Sequence, residues 1–195
     1  MKESKIYGLV LAGGLSKRMG EDKSEMVYRQ LPQYEHVAVM LQKFCDEVFI
    51  SVRNPAGKHT AFPILPDQFA SEGPIAGILT ALAAHPDGTW VTAPVDMPAL
   101  NEPTVEFLLA NRSSRHKVTC FRNSEGQHPE PLLGVWEPGV FSLLLEYYHR
   151  GGRSVRTFME GCGVNLLNAP YPQAIVNINT PEERDEYLKK VQQKV

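Results

Sequence analysis

The 195-residue chain is 43% apolar and 22% charged, a composition that supports a packed core and excludes disorder, and its length points to one domain over residues 1–195. Its formal net charge of −2 leaves no basic field to hold nucleic acid or an anionic membrane, and no apolar run approaches the roughly 18 residues that cross a bilayer. Cys45, Cys120 and Cys162 match neither a zinc spacing nor a disulfide framework, and the polar start is not a signal peptide, so the expected compartment is the cytoplasm.

Residues 6–11 (IYGLVL) are a short apolar run ending at Gly13-Gly14, which reads as a buried strand followed by a sharp turn. Residues 37–44 place Val37, Met40, Leu41 and Phe44 on one helical face, and 47–52 (EVFISV) read as a second strand. A third strand over 63–65 is closed by Pro66-Asp67, and the alanine- and leucine-rich run 75–84 reads as a helix. Residues 90–93 form a strand stopped by Pro94, and 104–110 a helix with Asn101 as its cap. Further strands are expected over 118–121, 132–135, 164–167 and 175–178, with helices over 140–148 and 155–160. Thr180-Pro181-Glu182-Glu183 is a capping box with proline at the first helical position, and the helix it opens runs toward Lys189 and Lys190 at the negative end of its dipole.

Strands alternating with helices imply parallel βαβ units, hence an α/β fold of the Rossmann-like three-layer α/β/α type with a mostly parallel central sheet. Ligands of such sheets bind outside the C-terminal strand ends, here after Leu11, Ser51, Leu65 and Ala93. The segment after the first strand is Leu11-Ala12-Gly13-Gly14-Leu15-Ser16-Lys17-Arg18-Met19-Gly20-Glu21-Asp22-Lys23. Adjacent glycines allow a turn of positive φ and let backbone N–H groups approach a ligand closely; Arg18 and Lys23 bring two cations to the same loop. Bare amides with two cations suit a triphosphate. The string is not a Walker A loop, since Lys23 follows no glycine, and its glycines at 13, 14 and 20 do not make the dinucleotide fingerprint.

Leu-Ala-Gly-Gly-x-Ser-x-Arg-Met-Gly-x-Asp-Lys resembles the signature of the molybdenum cofactor guanylyltransferases, nucleotidyltransferases with a glycosyltransferase-A-like fold. The resemblance continues through Pro66-Asp67, Gly73-Pro74-Ile75-Ala76-Gly77, Asp96-Met97-Pro98 and Asn177-Ile178-Asn179-Thr180-Pro181, in the family's order. It implies transfer of GMP from GTP to a molybdenum–molybdopterin cofactor, with Mg²⁺ as cofactor and molybdoenzymes or cofactor-biosynthesis proteins as partners. Arg18, Lys23 and Asp96 are the expected catalytic residues. Leu11, Ala12, Gly13, Gly14, Lys23, Ser51, Asp67, Gly73, Gly77 and Asp96 are expected at GTP, and Asn177 and Asn179 on the acceptor side.

Asp96 stands just past a strand end, where a carboxylate faces the ligand crevice, and Mg²⁺ takes one or two carboxylates plus phosphate oxygens and water; Asp96 is therefore the expected metal ligand. Asp67 can accept hydrogen bonds from the N1–H and N2–H₂ edge of guanine, an edge cytosine lacks; a ribose contact is the alternative. Ser51 matches a family position that is often asparagine and lies near the base. Gly73 and Gly77 let the backbone pass close to the base, or simply open a helix. Arg150, Gly151, Gly152 and Arg153 are a candidate anion site for the acceptor phosphate, or a surface turn. One departure is residues 24–34, SEMVYRQLPQY, which lack the glycine the family places before the next helix. Two rival readings stay open: a transferase of the same fold using CTP or a sugar phosphate, and a non-catalytic nucleotide-binding protein that delivers cofactor.

Overall fold

Period-two alternation along β1 (Ile6–Leu11) sends Tyr7, Leu9 and Leu11 into one apolar cluster and Val10 into another on the opposite face. A strand apolar on both faces must be covered on both, and the rest of the chain supplies the covers. The computed structural model describes residues 5–13, 24–28, 30–53, 55, 60–70, 73–123 and 125–192. Along them follow α1 (Gln33–Leu41), β2 (Glu47–Val52), β3 (Ile64–Pro66), α2 (Pro74–Ala84), β4 (Thr89–Pro94) and α3 (Glu102–Ala110). The C-terminal part adds β5 (Val118–Arg122), β6 (Pro129–Trp136), α4 (Val140–His149), α5 (Val155–Cys162), β7 (Asn165–Leu167) and α6 (Pro181–Gln192).

The strands form one seven-stranded sheet in the order β3-β2-β1-β4-β6-β5-β7. β3, β2, β1 and β4 are parallel; β6 runs antiparallel to both β4 and β5, and β7 is parallel to β5. Helices α1 and α3 cover one face, through Val37, Leu41, Val105 and Leu108. Helices α2, α4 and α5 cover the other, through Ile75, Leu79, Leu144 and Phe158. The expected three-layer architecture is thus present, and the chain order brings β1, β2, β3 and β4 out along a common edge. The inserted β6 runs the other way, so its beginning lies at that same edge. The register of β4 on β6 is Trp90↔Trp136, Val91↔Val135, Thr92↔Gly134.

Strands β1 and β2 match their expected bounds. Helix α1 starts earlier than its apolar stripe, because the Pro32 carbonyl accepts from the N–H groups of Glu35 and His36 at 3.0 and 2.9 Å and because Gln33 and Tyr34 are buried. The strand expected over 175–178 does not form. Pro172–Ile175 make a turn of 3₁₀ helix, and the chain then runs extended with the Ile178 N–H donating to the Asp96 carbonyl at 2.7 Å. Buried Ala174 and Ile175 fix that turn, so tertiary anchoring overrides the β-branched preference of the segment. Caps fall where expected: Asn101 Oδ1 accepts from the Thr104 N–H, and Glu183 and Thr180 exchange the two bonds of a capping box.

Candidate active site

The parallel strands end in a row tied together by backbone hydrogen bonds. Past β1, the Ala12 N–H donates to the Ser51 carbonyl at 3.0 Å, and past β3 the Asp67 N–H donates to the Val52 carbonyl at 3.1 Å. These bonds bring Gly13, Ser51 and Asp67 together. A Cβ on Gly13 would stand 3.3 Å from the Arg53 amide nitrogen and 3.7 Å from Asp67 Oδ2, so bare backbone at 13 is what admits β2 and Asp67 this close. Gly13 lies outside the left-handed φ region, and its function is close approach rather than the positive-φ turn expected there. Gly14, Arg18 and Lys23 lie outside the described residues.

Ser51, only 2% exposed, donates its hydroxyl to Asp67 Oδ1 at 3.0 Å. Asp67 is half-buried; burial pushes its carboxyl above the ordinary range, while the Ser51 bond and the Arg53 charge pull the other way. With Oδ1 held by Ser51, Oδ2 is the oxygen on the Gly13 side. Gly73 takes φ 118° just before Pro74 opens α2, a backbone only glycine adopts without strain. Gly77 has a different reason: a Cβ there would overlap Ser51 Oγ and sit 3.2 Å from Asp67 Oδ1. Helix α2 is therefore seated directly against the Ser51–Asp67 pair. Gly77→Ala is expected to cost about 1–3 kcal/mol by overpacking. Adding Ser51→Ala, which removes the overlapping oxygen, is expected to recover most of that loss in urea unfolding; an equally unstable double variant would contradict this packing.

Asp96 follows β4 in a turn whose flanking Val95 and Met97 are buried. Its carbonyl anchors the 176–179 segment through Ile178, which carries Asn177 to the same place. Glu130, 3% exposed, completes the group. Its Oε1 accepts from the Leu132 N–H at 3.1 Å. Burial pushes the Glu130 carboxyl up to about 7, with the Asp96 charge adding to the rise and the Leu132 bond and Arg156 opposing it. Sequence reasoning missed this residue, because a glutamate between Pro129 and Pro131 reads as loop.

A carboxyl raised on folding keeps its proton in the native state after the unfolded chain has lost it. Native stability therefore falls as pH rises from about 4.5 to about 7. The effect is on the order of 3 kcal/mol, a drop of roughly 5–10 °C in Tm between pH 5 and pH 8. Glu130→Gln is expected to remove that share of the slope in parallel thermal melts; superimposable pH profiles would contradict it.

The residues expected on the acceptor side, Asn177 and Asn179, lie beside the same turn. Within the stretch where the family glycine is missing, Ser24 and Met26 are tied to the start of α1: the N–H groups of Gln33 and Tyr34 donate to the Met26 and Ser24 carbonyls at 2.8 and 3.1 Å. Tyr28 packs edge-on against Tyr187 of α6 at 5.7 Å, and burial raises its phenol, with Arg184 opposing. The Tyr187 hydroxyl donates to the Pro98 carbonyl at 3.0 Å. A cavity of about 360 Å³ between that turn and α6 is lined by Pro98, Val176, Asn177, Ile178 and Tyr187. Asn179 gives its backbone N–H to Glu183 Oε2 at 2.6 Å, a helix-capping contact. The Arg150 to Arg153 turn does not form the anion site considered above: Arg150 pairs with Glu146 at 2.5 Å, and Arg153 donates to the Tyr148 and Gly152 carbonyls while stacking on the Tyr148 ring.

The donor set fits a hard divalent cation. Asp96 supplies a carboxylate, and Asn177 Oδ1 is a buried oxygen with no hydrogen-bond partner. Among the described residues no group of three His, Cys, Asp or Glu side chains is placed to hold a metal. One carboxylate with a carbonyl oxygen beside it suits Mg²⁺, which takes one or two carboxylates and retains water and substrate phosphate oxygens.

The family model of the MobA-like NTP transferase domain matches residues 8–186. The chain is 32% identical over 186 residues to the molybdenum cofactor biosynthesis bifunctional protein of Synechocystis, covering 94% of this chain but 54% of that protein, about half its length. It is 29% identical to the molybdenum cofactor guanylyltransferase of Vibrio campbellii, over 90% of this chain and 91% of that one. In fold it is similar to the molybdopterin-guanine dinucleotide biosynthesis protein A of Archaeoglobus fulgidus, with TM-score 0.80 and 22% identity over 97% and 100% of the two chains.

Proposed function

We propose, since the chain belongs to the MobA-like NTP transferase family, that it transfers GMP from GTP to a molybdenum–molybdopterin cofactor, forming the guanine dinucleotide and pyrophosphate with Mg²⁺ as cofactor. The observation that carries this reading is the convergence of Gly13, Ser51, Asp67, Asp96 and Asn177 on one edge of the sheet, in a chain whose full-length relative in Vibrio campbellii is named for that activity.

In the reaction, an oxygen of the acceptor's terminal phosphate forms a bond to the α-phosphorus of GTP while the bond from that phosphorus to the bridging oxygen of the β-phosphate breaks. Pyrophosphate leaves with the electron pair. At pH 7 the acceptor phosphate is largely ionised, its second pKa being near 6, so no strong general base is required. The barrier is the approach of two anions. Backbone N–H groups at Gly13 and Gly14, with Arg18 and Lys23, offset the triphosphate charge and hold the leaving pyrophosphate. Asp96, with Asn177 beside it, would hold Mg²⁺, which when bound supplies further charge neutralisation at the phosphates. Asp67 takes the base or ribose on its Oδ2 side, with Ser51 fixing the carboxylate. The cavity beside Asn177 and Tyr187 takes the acceptor. All three cysteines are free thiols, which supports a cytoplasmic setting. Comparing the binding of GTP, CTP, ATP and UTP tests the base assignment: GTP is expected to bind tightest, and a preference for CTP would overturn the guanylyl reading.

A further inference from the structure

The cavity between the 96–98 turn and α6 has two chemically different ends. Pro98, Val176, Ile178 and Val191 give it apolar walls, and its volume of about 360 Å³ is at the small end for a ligand pocket. We propose that Tyr187 is the residue that selects the ring of the acceptor: the planar heterocycle stacks on the Tyr187 ring, and the terminal phosphate points back along the cavity toward Asn177 and the Asp96 turn. This inference rests on the reading of the acceptor as a molybdopterin-type cofactor, and adds which way round it lies and which side chain recognises it.

Tyr187 is held in one plane. Its hydroxyl donates to the Pro98 carbonyl at 3.0 Å, and Tyr28 packs against it with ring centroids 5.7 Å apart and planes at 80°. A ring fixed at its hydroxyl and along one side offers the cavity a preorganised flat surface, so a flat ligand gains contact with little ordering cost. Tyr28 is set in turn by its own segment, where Val27 bridges antiparallel to Pro32 and the Gln33 N–H donates to the Met26 carbonyl at 2.8 Å. The stretch that lacks the family glycine thus supports the aromatic wall.

Charge gives the direction. Glu183 and Glu186 stand at the α6 end of the cavity, and the Lys190 ammonium is taken up by Glu186 at 2.7 Å. Carboxylates repel a phosphate but accept from N–H groups. A pterin carries an amide N–H and an amino group on one edge, which suits that end, and the phosphate suits the other. There the Ile178 N–H is bonded to the Asp96 carbonyl at 2.7 Å, so Pro98 and Asn177, which line the cavity, belong to the two segments joined at the Asp96 turn.

The test is titration of free pterin, whose ring fluorescence is quenched on stacking against an aromatic face, with wild type, Y187F, Y187L and V176W, alongside KM for cofactor and for GTP in the transfer assay. Y187F keeps the planar face, Y187L keeps apolar bulk without it, and V176W fills the cavity from a position that is 44% exposed. Wild type and Y187F are expected to quench pterin saturably, with affinities within about threefold of each other. Y187L is expected to bind pterin about tenfold or more weakly, and to raise KM for the cofactor by the same factor, with KM for GTP within about twofold of wild type. V176W is expected to do the same. Equal pterin affinity and equal cofactor KM in Y187L and wild type would overturn the inference and leave the guanylyl reading standing. A Y187F variant as weak as Y187L would overturn it too, because the ring face would then not be what binds, and so would a wild type that quenches no pterin. Absence of transfer from GTP, with Tyr187-dependent quenching retained, would sink the guanylyl reading and leave the ring site standing. Should Y187L fail to fold, V176W decides: wild-type pterin affinity in that variant overturns the proposal.

Discussion

Asp96→Ala is expected to lower turnover at least about a hundredfold while leaving the fold intact. The carboxylate is the group that would place the divalent cation against the phosphates, and loss of one preorganised electrostatic partner typically costs about 3–4 kcal/mol of transition-state stabilisation. Asp96 also contributes to the architecture through its backbone and neighbours. Its backbone carbonyl, not its side chain, accepts the Ile178 N–H, and the buried neighbours Val95 and Met97 anchor the turn. The alanine variant keeps all three. Its thermal melt is therefore expected to stay close to wild type while its pyrophosphate release collapses, and added Mg²⁺ is not expected to restore the rate. Turnover near the wild-type value would remove Asp96 from the mechanism.

Lys23→Ala is expected to have an effect of the same size, for the complementary reason. The sheet edge carries the carboxylates of Asp67 and Asp96, which repel a triphosphate unless cations offset them. The glycine-rich segment carries Arg18 and Lys23, the cations proposed for this purpose. The charge on the leaving pyrophosphate grows as the bond to the α-phosphorus breaks, so a lysine that holds it acts more strongly in the transition state than on bound GTP. Lys23→Ala is accordingly expected to lower kcat about a hundredfold or more, with a smaller change in KM for GTP. A variant with unchanged kcat and a raised KM would assign Lys23 to ground-state binding alone.

The legible parts of the fold were those where one local signal decides. The apolar runs of β1 and β2, bounded by polar residues, fixed both strands, and the Thr180-Pro181-Glu182-Glu183 box fixed the start of α6. Asp96 could be placed at the strand-end edge because its strand end and its turn are contiguous in the chain. The segment 175–178 misled because Ile175, Val176 and Ile178 favour strands locally, whereas the Asp96 carbonyl and the buried 3₁₀ turn determine its path. Glu130 could not be found from its own neighbours: only the antiparallel pairing of β6 with β4 brings the start of β6 to the edge where Asp96 lies. Gly77 was legible as a special position but not in its reason, since Ser51 and Asp67, which require it, come from two other elements. In each case the missing information was a pairing between distant segments.

The central claim, guanylyl transfer at this sheet edge, is tested most directly by incubating the protein with GTP, Mg²⁺ and molybdopterin cofactor and weighing the product by mass spectrometry. The expected result is the guanine dinucleotide form of the cofactor with one pyrophosphate released per molecule formed, and little product when CTP replaces GTP. Absence of pyrophosphate, or a product formed preferentially from CTP, would contradict it.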